Sequence, residues 1–447
     1  MFVRLAGWFL AWTLVPCTAF AEDAPPPADR PAPAAIVPVT PTEAISPDAR
    51  QTTRDAAPPP DFVSTRNVED KLEEARRSRV ALFDFGARDA SLRFERRLYD
   101  ATRIRVAGIY TVLSQHATDG DGPRSATGGD VDIIATWDAV KRGDKIVGAL
   151  DVALEGRHKY WTKIPPASLS QTIDSLWTTT SGFNVQTFFP VQIYWRQSWQ
   201  GGRWRMRIGK LSPYATFFGN RINSSSLFFV NYGFADVPAV FMPGNGVGVH
   251  VSHDLSKHWT VHVGIQNANG LKTRIEPSTL RFGEFWYAVQ VDYKSKIRGL
   301  GEGTWRLGGW YVNGREVAKT KDGFGTVLSI DQELGKRVIG FLRYEFQGQS
   351  LLSPEIRRDA LTATEWALRA GFGFPGPFRR LPDDFLGIGA AWGSPSRIPV
   401  RDSFVGEIFY RFQLESSAQL SVSAQAIRSS TVFREVFVFS FRLRVEF

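Results

Sequence analysis

Four of the six histidines in this 447-residue chain, His250, His253, His258 and His262, fall close together. Across a hairpin His250 and His262 would meet as metal ligands, but no Cys or carboxylate set beyond Asp254 completes a shell. Asp119, Asp121, Asp130 and Asp132 carry a fragment of a calcium-loop spacing without the terminal bidentate Glu, which fits a solvated loop better. Gly371, Gly373 and Gly376 imitate a dinucleotide fingerprint at the end of a strand pattern, with no helix after it. No G-x-S-x-G elbow presents a nucleophile. The residues therefore point away from an enzyme, a resident metal and a cofactor. What they do offer is Arg, Asp, Glu and Gln at alternate positions of long stretches, the chemistry of a wet wall that hydrogen-bonds a polar solute.

The elements that must position such a wall are strands. Phe437, Phe439, Phe441, Leu443, Val445 and Phe447 alternate with Val438, Ser440, Arg442, Arg444 and Glu446. Successive side chains of a strand point to opposite faces, so one face here is apolar and the other charged. The same period recurs in Arg103 to Val106, Arg203 to Ile208, Thr260 to Val263 and Gln419 to Ser423. Aromatics gather near segment ends (Trp137, Trp195, Trp204, Trp259, Tyr287, Trp366, Trp392, Tyr410), as in the girdles of a membrane barrel.

About sixteen such segments are expected, near 101–114, 130–139, 145–157, 189–198, 203–211, 246–255, 258–267, 282–294, 303–313, 324–334, 336–347, 363–374, 384–393, 403–414, 418–428 and 435–447. The links after segments 2, 4, 6, 10 and 14 are short, whereas those after 1, 3, 5, 7 and 11 are longer, the longest near 158–188 and 212–245. A soluble sandwich has no reason to sort its loops by parity; a barrel in a membrane does. The expectation is an all-β, transmembrane, antiparallel up-and-down barrel over residues 101–447. In hydrocarbon only a closed cylinder satisfies every strand's backbone, so the charged face must line a watery interior.

Ahead of it, Arg4, the apolar stretch Leu5 to Val15 and the Ala19-Phe20-Ala21 site read as a signal peptide, 1–21, cleaved after Ala21 with loss of the only Cys, Cys17. Residues 22–61 are Pro- and Ala-rich and read as a disordered linker. Residues 62–100 read as a periplasmic segment with a short charged helix from Asn67 to Arg79, with 80–90 continuing as a plug or a strap. Past the first 20 residues no run nears the roughly 20 apolar residues of a spanning helix. Charge is modest, 54 Lys+Arg against 45 Asp+Glu for a formal +9, with no dense basic block, so nucleic acid is not an expected partner.

Several blocks also resemble the carbohydrate-selective porin (OprB) family: Phe189 to Gln197, Trp204 to Lys210, Phe228 to Asn231, and Gly406 to Leu414, with Gln425 and the terminal Phe447. The resemblance covers most of residues 101–447. It implies a sixteen-stranded barrel that passes mono- or oligosaccharides passively across the bacterial outer membrane, with sugars and membrane lipid as its partners; monomer or homo-oligomer stays open. Arg105, Asp151, Glu155, Arg205, Arg207, Gln266, Arg343, Glu345, Glu407 and Arg411 are the expected lumen lining. Leu211 to Asn245, with Phe217, Phe218, Asn220, Arg221 and Asn223, is the expected inward constriction. Other readings are a general or anion-preferring porin, an outer-membrane barrel enzyme such as a lipase, and an exported lectin-like β-protein.

Overall fold

The structure, a computed structural model, describes residues 67–447 except 78, 84–85, 144, 276, 317–319, 349–363, 379–380, 396–400 and 429–433. The expected signal peptide, its cleavage site and the Pro/Ala-rich linker lie outside the described residues.

Sixteen strands follow two helices, α1 (Val68–Arg76) and α2 (Ala87–Thr102). They are β1 (Ile104–Ala117), β2 (Ser125–Arg142), β3 (Lys145–Lys159), β4 (Gln186–Trp199), β5 (Trp204–Leu211), β6 (Gly246–Asp254), β7 (Trp259–Asn267) and β8 (Phe285–Ile297). The second half comprises β9 (Gly301–Val312), β10 (Gly323–Glu333), β11 (Ile339–Gln347), β12 (Thr364–Pro375), β13 (Phe385–Pro395), β14 (Ser403–Glu415), β15 (Ala418–Arg428) and β16 (Glu435–Glu446). Each pairs antiparallel with its chain neighbours, and β1 closes on β16 through Ile109 opposite Glu446 to Ala117 opposite Val438. Closure leaves no open edge.

The period of two becomes inside and outside. On β16, Phe437, Phe439, Phe441 and Leu443 are 42–60% exposed while Val438, Ser440, Arg442 and Arg444 are at most 3% exposed. Outward Val289, Leu307, Leu328, Leu342, Phe372, Ile388 and Ile408 continue the apolar skin around the cylinder, the surface hydrocarbon requires. Aromatic pairs mark both rims. Trp199 stacks on Trp204 and Trp259 lies against Tyr293 at the rim of short turns. Trp366 meets Trp392 edge-on, and Tyr287 meets Tyr311, at the other rim. The short rim includes a turn between β4 and β5 in which Gly201 and Gly202 take φ of 70° and 94°, a conformation that costs glycine nothing.

The N-terminal residues are joined closely to the barrel. The helix expected over 67–79 forms as α1, with Asn67 as its N-cap accepting from the Asp70 amide. Val68 and Leu72 then pack with Ala107, Ile109, Ile134, Ala153, Tyr194 and Leu211 of the wall, so α1 is seated inside the cylinder. From there the chain passes along the short-turn rim. Arg79 pairs with Glu74 and with Glu446 of β16, and the Leu82 and Phe83 amides donate to the Gln413 and Leu414 carbonyls of β14. Helix α2, which the sequence does not announce, returns the chain to β1: Arg88 donates to the Ser416 carbonyl at its start and Tyr99 to Asp138 near its end.

Candidate functional site: the lined lumen

The segment between β5 and β6 is the central feature of the interior. Residues 217, 218, 220–224 and 227–231 are almost entirely buried, yet the segment holds only a 3-10 turn, Pro213–Ala215, and one short turn of α-helix, Tyr232–Ala235. Irregular backbone at membrane depth must find its hydrogen bonds within the protein. The inner wall supplies them. Phe218 donates its amide to Gln290 of β8 at 2.6 Å, and its carbonyl accepts from Arg343 of β11. The Val230 and Asn231 amides donate to the two oxygens of Glu407 at 2.7 and 2.9 Å, and the Ala239 amide to Glu345 at 3.0 Å. The Leu227 carbonyl accepts from Arg411, the Phe228 carbonyl from Arg442 at 2.8 Å, and the Gly233 carbonyl from Arg369. Arg369 also pairs with Glu345 at 2.6 Å. Arginine is well suited to these positions because its fork of five donors spans more than one carbonyl and stays charged when buried.

The liner is fixed at its ends by apolar packing. Phe217, Phe218, Val237 and Val240 share one core with Trp286, Ala288, Trp310 and Val327. Trp286 donates to the Phe241 carbonyl, and Gln266 to that of Gly244. The segment after β3 also turns inward: Trp177 is buried and donates to Thr364, while Thr179 donates its hydroxyl to Gln115 and its carbonyl accepts from Gln115 and Gln425.

The expected lining residues thus separate by environment. Gln266, Arg343, Glu345, Glu407 and Arg411 are at most 5% exposed and hold the liner. Phe217 belongs to the apolar core, and Asn220 shapes its own turn by accepting from the Ile222 amide. Arg221 crosses to Asp331 at 2.6 Å and Glu333 at 3.0 Å. Arg105 pairs with Asp138, Asp151 with Arg196, and Glu155 with Arg157. Arg205 forks onto Asp254 with both contacts at 2.7 Å, and Arg207 reaches Glu69 of α1 at 2.8 Å. Side chains of Arg196, Arg205, Arg207, Glu69, Asp254 and Glu333 keep 20–42% exposure, which places solvent against β4–β6, β10 and α1.

The other constellations resolve into separate side-chain pairs. His262 faces Ser252 and Asp292, while His250 sits opposite Gly264 and against Thr216. Asp119 and Asp121 meet Arg434, Asp130 meets Arg157, and Asp132 meets Lys71. Among the described residues no three His, Cys, Asp or Glu side chains converge on a metal position.

A closed sixteen-strand barrel with an apolar skin and an inward-folded, wall-anchored loop is porin architecture. The family model for carbohydrate-selective porin, OprB family, matches residues 167–447. The chain belongs to that family. The fold is similar to the high-pH structure of Pseudomonas putida OprB, with a TM-score of 0.63 at 15% identity over 79% of this chain and 96% of that one. It is also similar to the low-pH structure of the same protein, with a TM-score of 0.54 at 14% identity over 83% and 100%. No curated protein sequence matches this chain.

In this porin the sequence reading missed Arg369, Gln290 and Asp331, although the alternation that marks Arg343 and Glu407 marks them too, and it placed Arg442 on the charged face of the last strand without assigning it a role. Glu69 carries no such signal, because it arrives from a helix. Burial works against its ionisation, but Arg207 and Arg196 outweigh it and hold the carboxyl below the ordinary range. The adjacent Asp70 goes the other way: burial and the Glu69 charge push it up to about 7. An acid whose folded pKa is raised favours the folded form below its unfolded pKa, and that contribution is lost as pH rises through the folded value. The seat of α1 is therefore expected to loosen between about pH 4 and 7. Amide exchange of α1, corrected for intrinsic rates, should be faster at pH 8 than at pH 5 by roughly tenfold, with the Asp70→Asn variant flattening the difference. An unchanged profile in that variant would remove Asp70 from the account.

Proposed function

We propose that this porin sits in a bacterial outer membrane and lets small carbohydrates diffuse passively, with preference, along the wet face between liner, wall and α1. The observation that carries the reading is the liner itself. Paired charges and an aromatic core fold a long loop into the lumen, which narrows the passage and leaves Arg196, Arg205, Arg207, Asp254 and Glu333 beside water. A sugar crossing there exchanges its hydration for charge-assisted hydrogen bonds, stronger than neutral ones. Binding stays weak enough for release, as conduction requires. The solvent-contacting arginines favour a second reading, anion-preferring diffusion, over a cation channel.

Purified protein in planar bilayers should give stepwise ion conductance that millimolar monosaccharide reduces, and liposomes containing it should swell faster in sugars than in amino acids of equal size. Equal swelling for all solutes of one size would reduce the reading to a general porin. Absence of conductance steps would remove the channel altogether.

A further inference from the structure

Glu69 holds a position that a diffusing anion would fit. It sits between two strand arginines, with one carboxylate oxygen 2.6 Å from Arg196 Nε on β4 and the other 2.8 Å from Arg207 Nη2 on β5. Neither guanidinium is exhausted by its partners. Arg196 is also held by Asp151 and Arg207 by Thr216, yet Arg196 Nη2 and Arg207 Nε are buried without an acceptor. Directly beside them lies Tyr194, whose hydroxyl accepts from the Val68 amide and whose ring is covered by Val68 and Leu72 of α1. Under the first turn of α1 there is thus a two-arginine fork next to an aromatic ring, the pairing that recognises a sugar carrying a carboxylate: charge for the acid group and a flat apolar face for its C–H side.

The part of the cover that would move is its first turn. The salt bridges there, Glu69 to Arg196 and Arg207 and Lys71 to Asp132, retain 16–24% side-chain exposure, while the far end of α1 stays tied to the wall through the buried chain of Glu74, Arg79 and Glu446. Its apolar contact is a narrow stripe of Val68, Leu72 and Ala75. We propose that Arg196 and Arg207 form a subsite for the carboxylate of an acidic monosaccharide, and that Glu69 is its resident competitor, displaced when such a solute enters. The proposal rests on the transport reading above and adds the substrate class and a self-occluding contact to it.

The test uses ion current through the full-length protein in planar bilayers, titrated with glucuronate or with glucose at fixed ionic strength. In Glu69→Gln, which keeps size and loses charge, the half-blocking concentration of glucuronate should fall about tenfold while that of glucose stays put. Arg207→Met should abolish the preference for glucuronate. In the wild type, glucuronate should speed amide exchange of α1 and glucose should not, a readout that needs no variant. The proposal is overturned if Glu69→Gln strengthens both sugars equally or neither, or if glucuronate leaves α1 exchange unchanged. Conductance that responds to glucose but treats glucuronate identically would sink this subsite alone; conductance that responds to no sugar would sink the transport reading with it.

Discussion

Excising residues 219–240 and joining the ends through a short Gly-Ser link should raise single-channel conductance by about threefold and erase discrimination among sugars, because an unobstructed barrel of this strand number encloses a wide aqueous channel. The deletion is structurally feasible. Phe217 and Phe218 at one end and Phe241 at the other already pack on the same core around Trp286 and Trp310, so the cut ends lie close. The barrel does not need the liner to close, since β5 pairs with β6 from Trp204 opposite His253 to Leu211 opposite Gly246. What it loses is the cover over Arg343, Arg369, Glu407, Arg411 and Arg442, which become hydrated rather than orphaned because water fills the space. Single-channel recording and liposome swelling with a size series of sugars check this. Unchanged conductance would mean that the path lies elsewhere.

That a liner would exist was legible; how it is held was not. Alternation marks strand positions because the lipid and the lumen impose opposite chemistry on successive residues, and β6, β7, β14 and β15 form within a residue of where it places them. It fails at edges where another element competes. The first strand reads as starting at 101, but α2 runs to Thr102 and the strand begins at Ile104. It also identifies Arg343, Glu345, Glu407 and Arg411 as inward, yet not their partners. Those partners are amides and carbonyls of Phe218, Leu227, Val230, Asn231 and Ala239, and backbone groups leave no trace in residue type. Glu69 was invisible for a related reason: its meeting with Arg196 and Arg207 depends on a helix entering the barrel, which no strand period encodes.

The wall-to-liner attachment also makes a sharp energetic prediction at Arg369 and Glu345. Both are at most 2% exposed, 2.6 Å apart, and each also holds the liner, Arg369 through the Gly233 carbonyl and Glu345 through the Ala239 amide. Removing Arg369 leaves Glu345 buried with only the longer 3.6 Å contact to Arg343, a loss of up to about 3–5 kcal/mol, whereas replacing both Arg369 and Glu345 by apolar residues of similar volume removes their desolvation cost along with their attraction. Arg369→Met alone should therefore lower the thermal midpoint of the detergent-solubilised protein and add flicker to the open-channel current as the Gly233 turn lets go. The Arg369→Met, Glu345→Leu pair should recover part of the midpoint, because the undercompensated carboxylate is gone while Arg343 loses a buried counter-charge, and only part of the quiet current, because the Gly233 carbonyl and the Ala239 amide still lack their wall partners. A double-mutant cycle on the midpoint gives the coupling directly. Two single losses that simply add would show that the pair contributes to the liner through separate hydrogen bonds and not through its mutual charge.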